Sequence, residues 1–490
     1  MSLAELIVPE TGSLRSAVAQ LDRGGPAIAI AVDGQGRYRG LVDVASIEAA
    51  LAAGHSPDEP AALAAKAVPV LAHNAADTDV ARHLASNSSF AVLVDADKRP
   101  LDYTSPARAR RIPVAEPSLS GNELKYVTEC VETAWLSSQG PFVRRFESEI
   151  AQRMGIPAEQ ALAVSNGTVA LHLGLLALGI GPGDEVIVPD LTFAATINTV
   201  IQAGATPVIV DVDRKSWNID PAAAAAAITP RTKAIMPVHL YGQPADMDPL
   251  LDMAKRHKLL IIEDAAEAMG SSYRGKPCGA IGDAGTFSFF SNKLITTGEG
   301  GAVVFRDAKS AQRARMLRDH GMDPKKRYWH LEVGFNYRLT NLQAALGCAQ
   351  IEQLDRFLSR KLEVASQYGA TLGGIDGVTL PAVLPELLNS YWAYSIIVDF
   401  ASLGIDRDEF ARRLDQAGIE TRPLFYPLHE MPPYQRYAGN RAYPVTTALS
   451  RDGLSLPSAV TLSAPETSYI GHVIGRQINT RRLARRIGIA

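Results

Sequence analysis

"FSFFSNKLITTGEGG", residues 287–301, sets a lysine, Lys293, between a phenylalanine-rich apolar run and a glycine-rich turn. Alone, Lys293 reads as an exposed loop residue, and Gly298, Gly300 and Gly301 as a hairpin turn. The rest of the chain has to decide between a loop cation and a reactive amine at the end of a buried strand.

Two stretches upstream bear on it. "LLIIEDAAEAMG" (259–270) is an apolar strand pattern that delivers Glu263 and Asp264 at its C-terminal end, the edge where open parallel sheets present ligands. Asp264 there also reads as a helix N-cap. "SNGTVALHLGLLALG" (165–179) sets Asn166, Gly167 and Thr168 just ahead of a helical pattern, so free backbone N–H groups and a hydroxyl can take a phosphate. In chain order the parts are a phosphate cup, a strand-end acid, then Ser288 and Lys293. Pyridoxal phosphate chemistry asks for such a set: donors for the phosphate, a carboxylate to keep the ring nitrogen protonated, and an amine to form a Schiff base.

The surroundings suit it. From about residue 116 to 375 the strand patterns "EVIVP", "TPVIVDVD", "KAIMPVHL", "LLIIED", "GTFSFF" and "GAVVF" alternate with amphipathic helices, predicting an α/β domain with a large, mainly parallel sheet. Asp220 and Pro221 supply the N-cap and first turn of a helix through "DPAAAAAAI". Residues 376–490 read as a smaller α+β domain, with "NTRRLARRIGIA" as a solvated last helix.

A length of 490 residues predicts two or three domains, and 47% hydrophobic content with a net charge of −3 gives none of the basic excess of a nucleic-acid binder. No apolar run approaches the roughly 20 residues that span a bilayer, and "MSLAELIVPETG" lacks the pattern of a signal peptide. The expectation is a cytoplasmic protein without membrane contact. Cys130, Cys278 and Cys348 are far apart and outside metal-ligand spacing, so they read as buried small apolar residues and no metal site is expected.

The first hundred residues hold an internal repeat: "AVAQLDRGGPAIAIAVD" (17–33) aligns without a gap to "DVARHLASNSSFAVLVD" (79–95), each a helix pattern, a turn and an apolar strand ending in Asp. Residues 1–104 resemble a degenerate pair of CBS-type modules, which implies an adenine nucleotide as possible ligand; a packing module without ligand is the alternative. The second copy lacks its closing helix, because the chain runs into a Pro- and Arg-rich linker, residues 105–115.

From 116 to 475 the stretches "SNGTVALHL", "GPGDEVIVPDLTFAATINTV", "PVHLYGQPADMDPL", "IIEDAAEAMGSSYRGKPCGAIGDAGTFSFFSNKLITTGEGG" and "VGFNYRLTNLQAALGCAQIEQL" resemble, in order, the DegT/DnrJ/EryC1/StrS family of pyridoxal-phosphate sugar aminotransferases. The resemblance implies a fold type I architecture. It also implies roles: Lys293 as Schiff-base lysine and proton carrier, Asp264 as partner of the ring nitrogen, Phe193 stacked on the ring, and Gly167, Thr168 and Ser288 on the phosphate. Asn336 matches an asparagine that reaches the phosphate from the neighbouring subunit, implying a homodimer with shared active sites; Arg338 is a further candidate for that role. Where many members carry an amide and a histidine this chain has Glu267 and Met269, so Glu267 is a candidate anchor for the ring, and His239, His330 and His429 are candidate substrate contacts or bases. "RYWHLEVGFNYRLTNLQAALG" is most similar to the GDP-perosamine synthase branch, implying L-glutamate as amino donor and GDP-4-keto-6-deoxymannose as acceptor. "WLSSQGPFV" (135–143) and "TRPLFYPLHEMPPY" (421–434) are candidate contacts to the sugar nucleotide. A UDP- or dTDP-linked acceptor, a sugar dehydratase and a non-enzymatic regulatory protein are the alternatives; in the dehydratase branch a histidine takes the place held here by Lys293.

Overall fold

The computed structural model describes residues 1–87, 90–108 and 110–489. Its centre is a seven-stranded sheet made of β1 (Ala161–Val164), β2 (Glu185–Pro189), β3 (Thr206–Val210), β4 (Thr232–Ile235), β5 (Leu260–Asp264), β6 (Ala284–Ser288) and β7 (Gly301–Phe305). The spatial order is β1-β7-β6-β5-β4-β2-β3. Neighbours run parallel except β7, which is antiparallel to both β6 and β1. The strands are apolar on both faces, as a sheet covered by helices requires. β1 is the one strand that the patterns above did not single out.

Strand alternation does the first positioning. Phe287 and Phe289, both fully buried, pack on one face of the β6 segment with Phe146, whose ring lies 5.1 Å from that of Phe289. Ser288 between them therefore faces the other side, toward the start of helix α1 (Gly167–Ala177). Each buried phenylalanine contributes about 1.5–3 kcal/mol, so the apolar run before Lys293 anchors the loop that carries it. The expected helix after Asp220 forms, but only over Pro221–Ala226.

Helix α3 (Leu354–Leu372) leads from the large sheet to a four-stranded antiparallel sheet of β8 (Val378–Thr379), β9 (Tyr394–Val398), β10 (Arg422–Pro423) and β11 (Gly453–Leu456), in the order β8-β9-β11-β10. Helices α4 (Arg407–Gln416) and α5 (Ala464–Arg486) pack on it.

At the N-terminus the repeat is visible as two three-stranded units of one topology. Ile7–Pro9 pairs parallel with Ala29–Val32, which pairs antiparallel with Tyr38–Val42; Leu71–Ala72, Ala91–Val94 and Pro100–Thr104 do the same. The register shifts between Ala31 and Val32 in the first unit and between Leu93 and Val94 in the second, positions that correspond in the alignment. Both hairpins close with an aspartate, Asp33 or Asp95, accepting from the backbone N–H four residues on.

One expectation is corrected. The last helix is not solvated: Thr480, Arg481, Leu483 and Ala484 of α5 are buried, and Leu483 and Ala484 belong to the apolar core of the first N-terminal unit. Its arginines are consumed by partners, Arg481 by Asp22 and Arg485 by the carbonyls of Ala401 and Ser402. The linker is packed as well: Ile112 is fully buried and exchanges backbone hydrogen bonds with Gly418 and Glu420. All three cysteines are buried and unpaired. Among the described residues no helix is long and apolar enough to cross a membrane.

Candidate active site

A cavity of about 900 Å³ opens at the C-terminal ends of the parallel strands, between the large sheet and the smaller one. It is the crevice that a parallel sheet offers to ligands. Lys293, Asp264, Glu267, Ser288, Gly167, Thr168 and Phe193 all line it.

At one end lies the N-terminus of α1. Asn166 caps the helix, its Oδ1 accepting from Val169 N at 2.9 Å, which leaves the earlier N–H groups pointing outward with the positive end of the helix dipole. Gly167 is required there by contact, since a Cβ on it would lie 2.8 Å from the Cβ of Ser288. Gly301 is held by the same crowding: its Cβ would meet the carbonyl carbon of Asn166 at 2.5 Å. So of the glycines after Lys293, Gly298, at φ +79°, makes the turn, and Gly301 lets β7 close against the cup.

Asp264 ends β5 and caps no helix. Its Oδ2 accepts from Thr196 Oγ1 at 2.7 Å, and its Oδ1 from Ala266 N at 3.2 Å. Thr196, in helix α2 (Ala195–Gln202), is braced in turn by Thr192. Burial raises the carboxyl above the ordinary aspartate range, against the pull of Thr196, Ala266 and Lys293. A cation placed against it would favour its ionised form.

Lys293 Nζ sits 3.6 Å from Glu267 Oε1 and 4.0 Å from the centroid of the Trp392 ring. Burial lowers its ammonium below the usual lysine value, opposed by Glu267 and Asp264. Burial likewise pushes Glu267 up to about 7. Glu267 Oε2 accepts from Tyr241 N at 2.8 Å, a backbone group presented by a left-handed residue (φ 54°). Strained backbone of this kind persists where its surroundings fix it; here Tyr241 Oη also accepts from Phe425 N. Phe193 is 59% exposed on the cavity wall, 5.9 Å from the ring of Phe425. A large apolar ring so placed, next to a helix N-terminus and a buried carboxyl, fits a planar phosphorylated ring.

The remaining candidates lie elsewhere. Asn336 is exposed and outside this cavity, paired through its backbone with Asp319. Arg338 is held by Asp319 and by Ser138 Oγ. His330 is exposed, on the carbonyl of His320. His239 is fully buried: its Nδ1 accepts from Ala245 N, so Nε2 donates to Glu263. That assignment, together with Glu263 accepting from Gly279, Ile281 and Gly282, makes His239 a structural histidine rather than a base open to substrate. His429 is bound to Asp190 at 2.7 Å and stacked on Tyr443, fastening the loop that presents Phe425. Met269 lies in the core. Of the two loop candidates, residues 421–434 supply Arg422, Pro423 and Phe425 to the cavity, whereas no residue of 135–143 lines it.

Tyr241, Trp392, Thr196 and Tyr337 complete the wall or its bracing and were not singled out above. Thr196 lies within "PDLTFAAT", three residues after Phe193; Trp392 carries no local signal, because it reaches Lys293 from the bend ahead of β9, about a hundred residues away.

Residues 117–475 match the model of the DegT/DnrJ/EryC1/StrS aminotransferase family. The chain is 51% identical over 361 residues to the GDP-perosamine synthase of Caulobacter vibrioides, covering 74% of this chain and 96% of the relative. It is 45% identical over 360 residues to that of Escherichia coli O157:H7, covering 73% and 96%. Among solved structures, the aminotransferase TlmJ from Streptoalloteichus hindustanus superposes with a TM-score of 0.70 at 33% identity, over 75% of this chain and 98% of the other. DesV of S. venezuelae, in complex with a ketimine intermediate, gives 0.67 at 36%, over 74% and 94%. The first 116 residues lie outside the family match. Over residues 117–475 the chain belongs to the DegT/DnrJ/EryC1/StrS aminotransferase family.

Proposed function

We propose that the chain uses pyridoxal phosphate to move the amino group of L-glutamate onto the keto carbon of a nucleotide-linked 4-keto-6-deoxy sugar, with GDP-4-keto-6-deoxymannose as acceptor and GDP-perosamine as product. The observation that carries it is the Lys293 amine, lowered by burial, lining one cavity with two buried carboxyls, Glu267 and Asp264, and the N-terminus of α1. The names of the relatives at 51% and 45% identity support the GDP sugar. A dTDP-sugar transaminase of Streptomyces venezuelae at 38% identity marks the alternative acceptor.

When bound, the cofactor supplies an electron sink that makes a proton next to nitrogen labile. Gly167, Thr168 and Ser288 would hold its phosphate, Phe193 would cover one ring face, and Asp264 would hold the proton on the ring nitrogen. Lys293 would then carry protons between the substrate and cofactor carbons, its lowered pKa leaving it free to act as a base. Glu267 would reach the ring edge on the Lys293 side. The balance is one amino group transferred: glutamate leaves as 2-oxoglutarate and the sugar carbonyl becomes an amine.

The chain is further proposed to act as a homodimer with shared sites. Tyr328, Trp329, Leu331 and Val333 are exposed on the loop before Asn336, and Asn336 itself is exposed and does not line its own cavity. The pairing expected is with a second copy of this surface. The N-terminal units are proposed to be a CBS-like pair that takes an adenine nucleotide; a flat calorimetric titration with AMP, ADP and ATP would remove that part. The place of action is proposed to be the cytoplasm, where sugar nucleotides are at hand. The acceptor is tested by supplying glutamate with GDP-, UDP- and dTDP-linked 4-keto sugars and following 2-oxoglutarate release. Turnover with the GDP sugar alone supports the proposal, and turnover only with another nucleotide overturns the choice of base.

A further inference from the structure

Lys361 is a buried ammonium that the chemistry above does not use. It lies in α3, 4% exposed, and its Nζ donates to the carbonyl of Trp392 at 2.9 Å, to the carbonyl of Ser458 at 2.5 Å and toward Ser458 Oγ at 3.1 Å. Burial without a carboxylate partner pulls it down to about 7. The acid on the same small cavity of about 20 Å³ as Lys361 is Glu116, which is itself engaged by Arg110 and Thr461. Gln350, from the preceding helix, is neutral, and the other cation on that cavity is Lys293.

A lysine in such a place is costly, and replacing it by an apolar side chain would spare the desolvation. What it holds explains why it is there. Trp392 is pinned at both ends, its carbonyl by Lys361 and its Nε1 by the carbonyl of Asn292 at 2.7 Å. Between those pins the indole forms the wall 4.0 Å from Lys293 Nζ. The contacts persist in either protonation state. As an ammonium Lys361 donates to all three oxygens; as an amine it donates to the two carbonyls and accepts from the Ser458 hydroxyl.

We propose that Lys361 is a positioning residue for the reactive amine: by fixing the backbone of Trp392 it keeps the indole against Lys293 and water away from it. This rests on the reading of Lys293 as the reactive amine. Loss of the wall hydrates Lys293. Because burial is the largest influence on that group, its pKa then rises toward that of an ordinary lysine, outweighing the weaker loss of the cation–π contact.

The test uses the full-length protein without cofactor. Acylation of Lys293 by a small amine-reactive reagent, read by peptide mass spectrometry from pH 6 to 11, gives its titration midpoint in the wild type, Lys361→Met, Lys361→Arg, Trp392→Ala and the Lys361→Met/Trp392→Ala double variant. Lys361→Met moves the midpoint up by about one pH unit, roughly a tenfold loss of neutral amine at a fixed pH. Lys361→Arg, which keeps the carbonyls partnered, restores most of it. In the Trp392→Ala background Lys361→Met adds nothing, because its path is already gone. Should Lys361→Met fail to fold, Lys361→Gln carries the same comparison. An unchanged midpoint in a folded variant, or a double variant whose shift equals the sum of the singles, overturns the proposal. A wild type that does not react with glutamate would count against the proposed function but not against this result, since no cofactor is present in the measurement.

Discussion

Lys293 Nζ lies 3.6 Å from Glu267 Oε1, with the lysine side chain 13% and the glutamate side chain 6% exposed. Burial pushes Glu267 up to about 7 and Lys293 down, so each group is held away from its charged form by desolvation and drawn back toward it by the other. Glu267→Gln removes the acid. The pH profile of the reaction with glutamate should lose its limb near pH 7, and Lys293, deprived of the carboxylate that raises it, should titrate lower.

The same carboxyl makes a prediction for stability. Glu267 is raised in the folded protein, so its contribution is fully present below the ordinary glutamate value and is lost as pH rises through about 7. Without cofactor, the wild type should lose roughly 1–3 kcal/mol between pH 5 and pH 8 that Glu267→Gln does not lose. Denaturant titrations of both proteins at the two pH values measure it.

Gly167→Ala forces a methyl group to within 2.8 Å of the Ser288 Cβ, at the point where α1 meets β6. Overpacking of this kind costs about 1–3 kcal/mol. Because it falls on the phosphate cup, the expected result is a folded protein whose affinity for pyridoxal phosphate drops at least tenfold. Fluorescence titration with the cofactor reads it directly.

Asp264→Asn keeps the shape and the Thr196 contact but removes the negative charge. A cationic ring nitrogen left unpaired in a buried site costs on the order of 3–5 kcal/mol, which corresponds to roughly a 10²–10⁴-fold loss in the rate of reaction with glutamate. Stopped-flow absorbance of the cofactor band, with circular dichroism to confirm folding, is the measurement.

The N-terminal units are fastened to the catalytic part rather than appended. Asp22 receives Arg413 at 2.9 Å and Arg481 at 2.7 Å, and all three side chains are about a tenth exposed. Removing one partner of a buried ion pair costs about 3–5 kcal/mol. Asp22→Ala should therefore lower stability by that order, and deletion of residues 1–104, which also bares Leu483 and Ala484, should give an aggregating protein. A well-behaved truncation with unchanged melting temperature would contradict this.

What the sequence shows and hides follows from how far apart the partners lie. Asp264 and Ser288 are legible because each ends an apolar strand, and Lys293 because it follows one closely; the parallel sheet carries strand ends to one edge. Gly167 and Thr168 are legible because a helix start has a local pattern. Trp392, Tyr241 and Lys361 are not, since their meaning depends on contacts with residues 26 to 100 positions away. The arginine-rich last helix misleads for the same reason: its charges look solvated until Asp22, some 459 residues earlier in the chain, is brought against Arg481. His239 and His429 looked available for substrate, but each is spent on a buried carboxylate, Glu263 and Asp190.

The central claim is that Lys293 binds the cofactor and that glutamate donates to it. The most direct test is the visible absorbance of the protein loaded with pyridoxal phosphate, recorded before and after addition of L-glutamate, with Lys293→Ala alongside. The account predicts a band in the wild type that glutamate converts to the spectrum of the aminated cofactor, and no such band in the variant. A wild-type spectrum that glutamate leaves unchanged, or a variant that behaves like the wild type, would contradict it.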